Sequence, residues 1–175
     1  MEQPGTLLRQ IVDQATPELL KISPESAAIP PQPGKWSPAE IIGHLIDSAS
    51  NNHGRFLRAQ QSEGLTGLPY DQEFWVEQQQ YHSANWPELV QFWAAFNRQL
   101  ARLMDATAEE NRTRLRLHHN LDQLAFKTVP ANQPVTLLYF MLDYVAHLEH
   151  HLTQVLPEYE RLLLEYGLFT SNSGI

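Results

Sequence analysis

Cysteine is absent from the 175 residues, which removes disulfides, thiolate nucleophiles, zinc ribbons and iron–sulfur clusters from consideration. Positive charge is scarce: 12 Lys and Arg against 20 Asp and Glu leave a net charge of −8. A nucleic-acid binder needs a basic face to meet phosphates, and an anionic membrane attracts the same kind of surface, so neither partner is expected. No stretch approaches the roughly 18 uninterrupted apolar residues of a membrane span. The first residues, MEQPGTLLRQIVDQ, lack the basic start and apolar stretch of a secretory leader. Cytoplasmic residence is the expectation. No G-x-G-x-x-G, Walker or G-x-S-x-G pattern occurs, so nucleotide binding and serine hydrolysis have no support. There is no internal repeat and no low-complexity segment.

What is present suits one folded domain over residues 1–175. The apolar fraction is 42% and the aromatic fraction 10%, enough to build a core and too much for disorder. Eight histidines exceed what packing alone asks of this length, and they raise the question of a metal.

Proline supplies most of the punctuation. Apolar positions at Leu7, Leu8, Ile11, Val12, Ala15, Leu19 and Leu20 predict a helix over 7–22, with Pro17 a possible kink. Residues 29–35 carry three prolines and a glycine and read as an extended connector. Ser37-Pro38-Ala39-Glu40 then opens a helix over 38–61: serine caps, proline takes the first helical position, and glutamate stands three after the cap. Trp36, just before the cap, suits a hydrophobic staple. A loop with Pro69-Tyr70-Asp71 leads to a short helical piece holding Phe74 and Trp75. Asn85-Trp86-Pro87-Glu88 starts a long helix with Leu89, Phe92, Trp93, Phe96, Leu100, Leu103 and Met104 on its apolar side. Residues 105–112 read as a break or a short helical turn, and 113–129 as a loose hairpin or a long loop. Pro134 opens the last long helix, running to about Leu156, and 158–166 adds a further turn or two. Four long helices with little strand signal predict an all-α, four-helix bundle.

The sharpest chemical feature is His147-Leu148-Glu149-His150-His151. Residues four apart share a helix face, so His147 and His151 can offer both imidazoles to one ion. With His147 at zero and about 100° per residue, Leu137, Met141, Val145, Leu148, Leu152 and Val155 fall at roughly 80–160°, the core side. His151 sits near about 40°, between His147 and the core, whereas His150 at about 300° turns toward solvent. His44 occupies the matching edge of the first long stripe, beside Leu45, Ile42, Ala49 and Phe56, and that edge continues with Ser48, Asn51 and Arg55. Two packed helices would bring His44, His147 and His151 together inside a bundle.

Three imidazoles suit Zn²⁺, Ni²⁺, Cu²⁺ or Fe²⁺ and leave a coordination position for water or substrate, the catalytic rather than the structural arrangement. Asp47 and Asp143, three after His44 and four before His147, are candidates to orient a ligand ring, although a solvated helix acid is the plainer reading of both. Gln154 lies on the histidine edge, and Arg55 can anchor an anionic group of a substrate. His53, opposite His44 on its helix, faces away; His82, His118 and His119 read as solvated loop histidines. Trp75, Trp86, Phe92, Trp93, Phe96 and Phe140 read as core.

These residues taken together, Trp36-Ser37-Pro38-Ala39-Glu40 through His44 and Asp47, then Arg55-Phe56, Pro69-Tyr70-Asp71, Trp75, and the run from His147 to Val155, resemble the DinB/YfiT-like family of bacterial metal-binding proteins. The resemblance spans about residues 30–157. It implies an up-down-down-up four-helix bundle, usually a homodimer, and a divalent metal, commonly zinc or nickel, on three histidines that map onto His44, His147 and His151. It implies a metal-dependent enzyme acting on a small molecule: a thiol S-transferase using a low-molecular-weight thiol such as bacillithiol, mycothiol or glutathione, or a hydrolase. The alternative is a non-catalytic metal-binding stress-response or sensor bundle. Residues 113–129 match no pattern of the family.

Overall fold

The computed structural model describes residues 3–163 and is helical, with two isolated β-bridges and no longer strand among the described residues. Four long helices carry the bundle: α1 (Pro4–Leu19), α3 (Pro38–Gln61), α5 (Trp86–Ala106) and α8 (Leu137–Val155). Short helices fill the connections: α2 (Pro24–Ala27), α4 (Gln72–Gln79), α6 (Glu109–Thr113) and α7 (Leu121–Leu124).

Local chemistry fixes where each helix begins. The Ser37 hydroxyl accepts from the Glu40 amide at 3.3 Å and the Glu40 carboxylate accepts from the Ser37 amide at 2.7 Å, so the capping box forms as the sequence predicts. Asp71 caps α4 and Asn85 caps α5 through their side-chain oxygens. The last helix starts later than Pro134. Val135 exchanges backbone hydrogen bonds with Arg116 at 2.8 and 3.0 Å, which holds it extended. Thr136 then takes the cap, accepting from the Tyr139 amide at 3.0 Å. At the other end, α1 stops at Leu19 rather than Ile22, two residues after Pro17.

Around the bundle α1 touches α5, α5 touches α3, α3 touches α8, and α8 returns to α1. The Trp86 indole donates to the Leu19 carbonyl, joining the start of α5 to the end of α1, while Gly5 lies against Ala101 and Asp105. These two helices are therefore antiparallel. Phe56, late in α3, packs on Phe140 and Tyr144, early in α8, so that pair is antiparallel too. Gly43 meets Tyr81 just before α5, and His53 meets Phe96 farther along, so α3 and α5 run parallel. The order is up-down-down-up. The parallel pair needs a crossover, which residues 62–85 supply.

Every apolar position used to orient the last helix is buried, as are Ile42, Leu45, Ala49 and Phe56 of α3. Phe92 departs from expectation: it is 56% exposed and stacks on Phe96, because it lies about 100° around α5 from the fully buried Trp93. Trp86, Trp93 and Phe140 are core, while Trp75 is half-buried against Tyr70. Residues 113–129 form neither a hairpin nor a free loop. Buried Arg116 donates to the carbonyls of Ala59, Asn111 and Arg114, tying the segment to the end of α3, and Leu65 pairs with His119 in a parallel bridge. Residues 158–162 are not helical, and 164–166, where the expected turn over 158–166 would end, lie outside the described residues.

Candidate metal centre

His44 is the seventh residue of α3 and His147 and His151 stand in the last half of α8, so antiparallel packing brings the three to one level. The Nε2 atoms of His44 and His147 are 3.2 Å apart. One nitrogen from each ring lies within 4.8 Å of the other two. The rings stand edge-on to one another, with centroids 5.1, 4.8 and 4.6 Å apart. Two nitrogens bound at 2.0–2.1 Å to one tetrahedral ion are about 3.3 Å apart, so the His44–His147 spacing matches a chelating pair.

Ring orientation is set from behind. The Gln154 side-chain oxygen lies 3.0 Å from His151 Nδ1 and accepts a hydrogen bond from its N–H, leaving Nε2 with its lone pair. Ser48 Oγ lies 3.4 Å from His147 Nδ1. His44 is wholly buried, and its Nδ1 has no partner. Burial, reinforced by the neighbouring His151, pulls the His44 pKa down to about 3. Burial likewise pulls His151 down to about 4, against a small opposing pull from Gln154, and drives His147 well below the usual imidazole value, with the adjacent histidines adding to it. All three rings are neutral at pH 7, the protonation state a metal ligand needs. The donor set therefore fits a divalent ion of the zinc or nickel kind.

Trp36, just before the α3 cap, stands beside the cluster. Its ring lies 5.0 Å from that of His44 and 6.5 Å from that of His151, and its indole donates to Glu73. The cluster is thus roofed on one side by an indole.

The two aspartates do not orient the histidines. Asp47 Oδ1 accepts from the Tyr81 hydroxyl at 2.8 Å and Gln79 at 2.6 Å, because its helical position turns it toward the crossover. Asp143 accepts the Phe126 and Lys127 amides at 2.8 and 2.7 Å, and burial raises its pKa to about 6 despite those bonds. Nor is His150 turned to solvent: it is half-buried with its ring 5.2 Å from Phe126. His119, expected in solvent, is 7% exposed; its Nε2 meets the Gln133 carbonyl at 2.7 Å and its Nδ1 accepts the Leu121 amide. His53 does sit apart from the cluster, and His82 and His118 are exposed. Glu149 was invisible to sequence reasoning. Between the histidines, it turns inward and binds the Tyr159 hydroxyl and the Leu162 and Leu163 amides. No local pattern announces those partners.

A cavity of about 360 Å³ opens beside the cluster, lined by His147, His150 and His151 together with Ser48, Asn52, Arg55, Phe126 and Asp143. A second, of about 750 Å³, meets it at His151 and is framed by Pro30, Pro31, Trp36, Glu40 and Gln154. No helix among the described residues is long and apolar enough to cross a membrane.

A family model for the DinB superfamily matches residues 7–155. Among solved structures, the fold is similar to that of YfiT from Bacillus subtilis, described as a probable metal-dependent hydrolase with an unusual four-helix bundle topology. The TM-score is 0.66 at 18% sequence identity, covering 86% of this chain and 83% of that one. No curated protein sequence matches the chain.

Proposed function

The chain belongs to the DinB superfamily, and from that premise we propose that it is a divalent-metal-dependent enzyme using His44, His147 and His151 to activate a water or a low-molecular-weight thiol against a small electrophile. One observation carries the reading: three neutral imidazoles converge, and two of them, His147 and His151, line a cavity large enough for a small molecule. An ion held there, zinc or nickel by the chemistry of three nitrogens, supplies Lewis acidity and lowers the pKa of the nucleophile.

The protein's own part is orientation and enclosure. Gln154 fixes the tautomer of His151, Ser48 supports His147, and Trp36 shields one flank. Asp143, the carboxylate on the cavity wall, has both oxygens occupied by backbone amides, so it is not free to serve as a general base. That favours activation by the ion over activation by a side chain. Hydrolysis and thiol transfer would differ only in whether the cavity admits water or a thiol as the nucleophile. The reading extends to a homodimer working in the cytoplasm, which size-exclusion chromatography and cell fractionation test.

The decisive experiment strips the protein with a chelator, reloads it with zinc or nickel, and measures bound metal and turnover. Ester and amide hydrolysis and conjugation of a small thiol to an aryl halide are assayed together. The expected result is turnover only in the loaded form and none in His147→Ala. Tight binding without turnover in any assay supports the sensor or storage reading instead.

A further inference from the structure

At the far end of the 360 Å³ cavity stands a buried cation. Arg55 is 7% exposed, yet no carboxylate lies within 4.0 Å of it among the described residues. Its guanidinium donates at 2.6 Å to the Leu68 carbonyl and at 3.5 Å to the Asn52 side-chain oxygen. A guanidinium has five N–H donors; these two bonds leave most of them for another acceptor. A buried charge without a counter-ion is costly, and truncating such a pair is what usually exposes the cost. A fold that keeps one on a cavity wall has a reason outside its own packing.

The walls agree. From Arg55 a polar ladder runs along α3 toward the imidazoles: Arg55 to Asn52, Asn52 to Ser48 at 3.4 Å, Ser48 to His147. Tyr70, beside the guanidinium, stays a neutral phenol because burial raises its pKa. The acid on this wall, Asp143, faces the Phe126 and Lys127 amides. In a chain of net charge −8, the lining therefore offers one unpaired positive group to the contents of the cavity.

We propose that this cavity takes a small anionic molecule, a carboxylate or a phosphate ester, with its anion received by the fork of Arg55 and its reacting centre held at the imidazole cluster. The planar fork suits both anions, because two parallel N–H groups meet two oxygens at once. The second half of the proposal rests on the metal-enzyme reading; the anion half does not, and the test keeps them apart.

Metal-free protein, uniformly ¹⁵N-labelled, is titrated with acetate and with inorganic phosphate at constant ionic strength, following by NMR the Arg55 side-chain Nε–H signal in wild type and the neighbouring Asn52 side-chain amide signal in wild type and variants alike. A saturable shift is expected, and the tighter of the two anions identifies the head group. Arg55→Lys keeps the charge without the fork, so it should bind at least about tenfold more weakly, and Arg55→Gln should not bind. Circular dichroism checks that both variants fold; if Arg55→Gln does not, Arg55→Lys decides alone. A wild-type signal that moves only linearly with anion, or an Arg55→Lys variant that binds as tightly as wild type, overturns the proposal. Metal content of His44→Ala, measured separately, tests the metal reading, so either half can fail without the other.

Discussion

Where α1 lies against α5 the buried surface is hydrocarbon: Leu7, Leu8, Ile11, Val12 and Ala15 meet Val90, Trp93, Ala94 and Ala101, and the ion pairs Arg98–Asp13 and Arg9–Asp105 stay at the rim. The pair α3 and α8, by contrast, buries His44, Asp47, Ser48, Asn52, Arg55, Asp143 and Glu149. The first interface buries few polar atoms, chiefly the Trp86 indole, which donates to the Leu19 carbonyl, and the Trp93 indole nitrogen. The second must find a partner for every polar atom, since an unmade buried hydrogen bond costs about 1–3 kcal/mol. Its carboxylates find most of theirs in connecting segments: Asp47 Oδ1 in the crossover, although Oδ2 has none, Asp143 at residues 126–127, and Glu149 at 159–163. Its imidazole cluster does so only in part, and His44 Nδ1 has none. The comparison teaches that one face of the fold supplies stability and the other is spent on a site.

The largest contrast is in metal content. His44→Ala should take bound zinc or nickel from about one ion per chain to near none, because two imidazoles do not make a closed three-ligand site. Ile11→Ala on the other interface should leave stoichiometry intact, and elemental analysis of both variants reads the difference. Denaturant unfolding should then show the reverse ranking. Ile11→Ala removes a fully buried side chain and should cost about 2–5 kcal/mol. His44→Ala should destabilise the metal-free chain by less.

Acid sharpens the contrast next. The folded pKa values of His44 and His151 are depressed to about 3 and about 4. Their stabilising effect is complete above the unfolded value near about 6.5 and is lost as pH falls through that value toward the folded ones. Asp143, raised to about 6, works in the opposite sense over the same range, so metal-free protein should weaken from about pH 6.5 to 4 by less than the ceiling of about 1.4 kcal/mol per unit of histidine depression. Ile11→Ala should lower the whole curve without changing its slope in that window, which thermal unfolding against pH would show. Asp143→Ala comes next, unpairing two amides at a cost of about 1–3 kcal/mol; hydrogen exchange at Phe126 and Lys127 should rise with it. Smallest is Arg98→Ala, an exposed ion pair worth under about 1 kcal/mol, and less in high salt.

Much of this was legible without coordinates because its causes are local. The α3 start is written in Ser37, Pro38 and Glu40, and the grouping of His147 with His151 follows from four residues making roughly one turn. The helical core needed only the period of its apolar residues. What escaped were contacts between segments far apart in the chain. The partners of Asp143 and Glu149 come from irregular backbone that carries no period, and the burial of His119 depends on Gln133 across a loop. Phe92 is apolar yet exposed, because its angle around α5 points it outward and apolar character alone carries no direction.

One further consequence follows from Trp36. With its ring 5.0 Å from His44 and 6.5 Å from His151, the indole is an optical probe built into the protein beside the cluster. Occupancy by a paramagnetic ion should quench its fluorescence far more than that of Trp86 or Trp93 in the core. Trp36→Phe would remove that signal, so affinity can be read from emission without attaching any label.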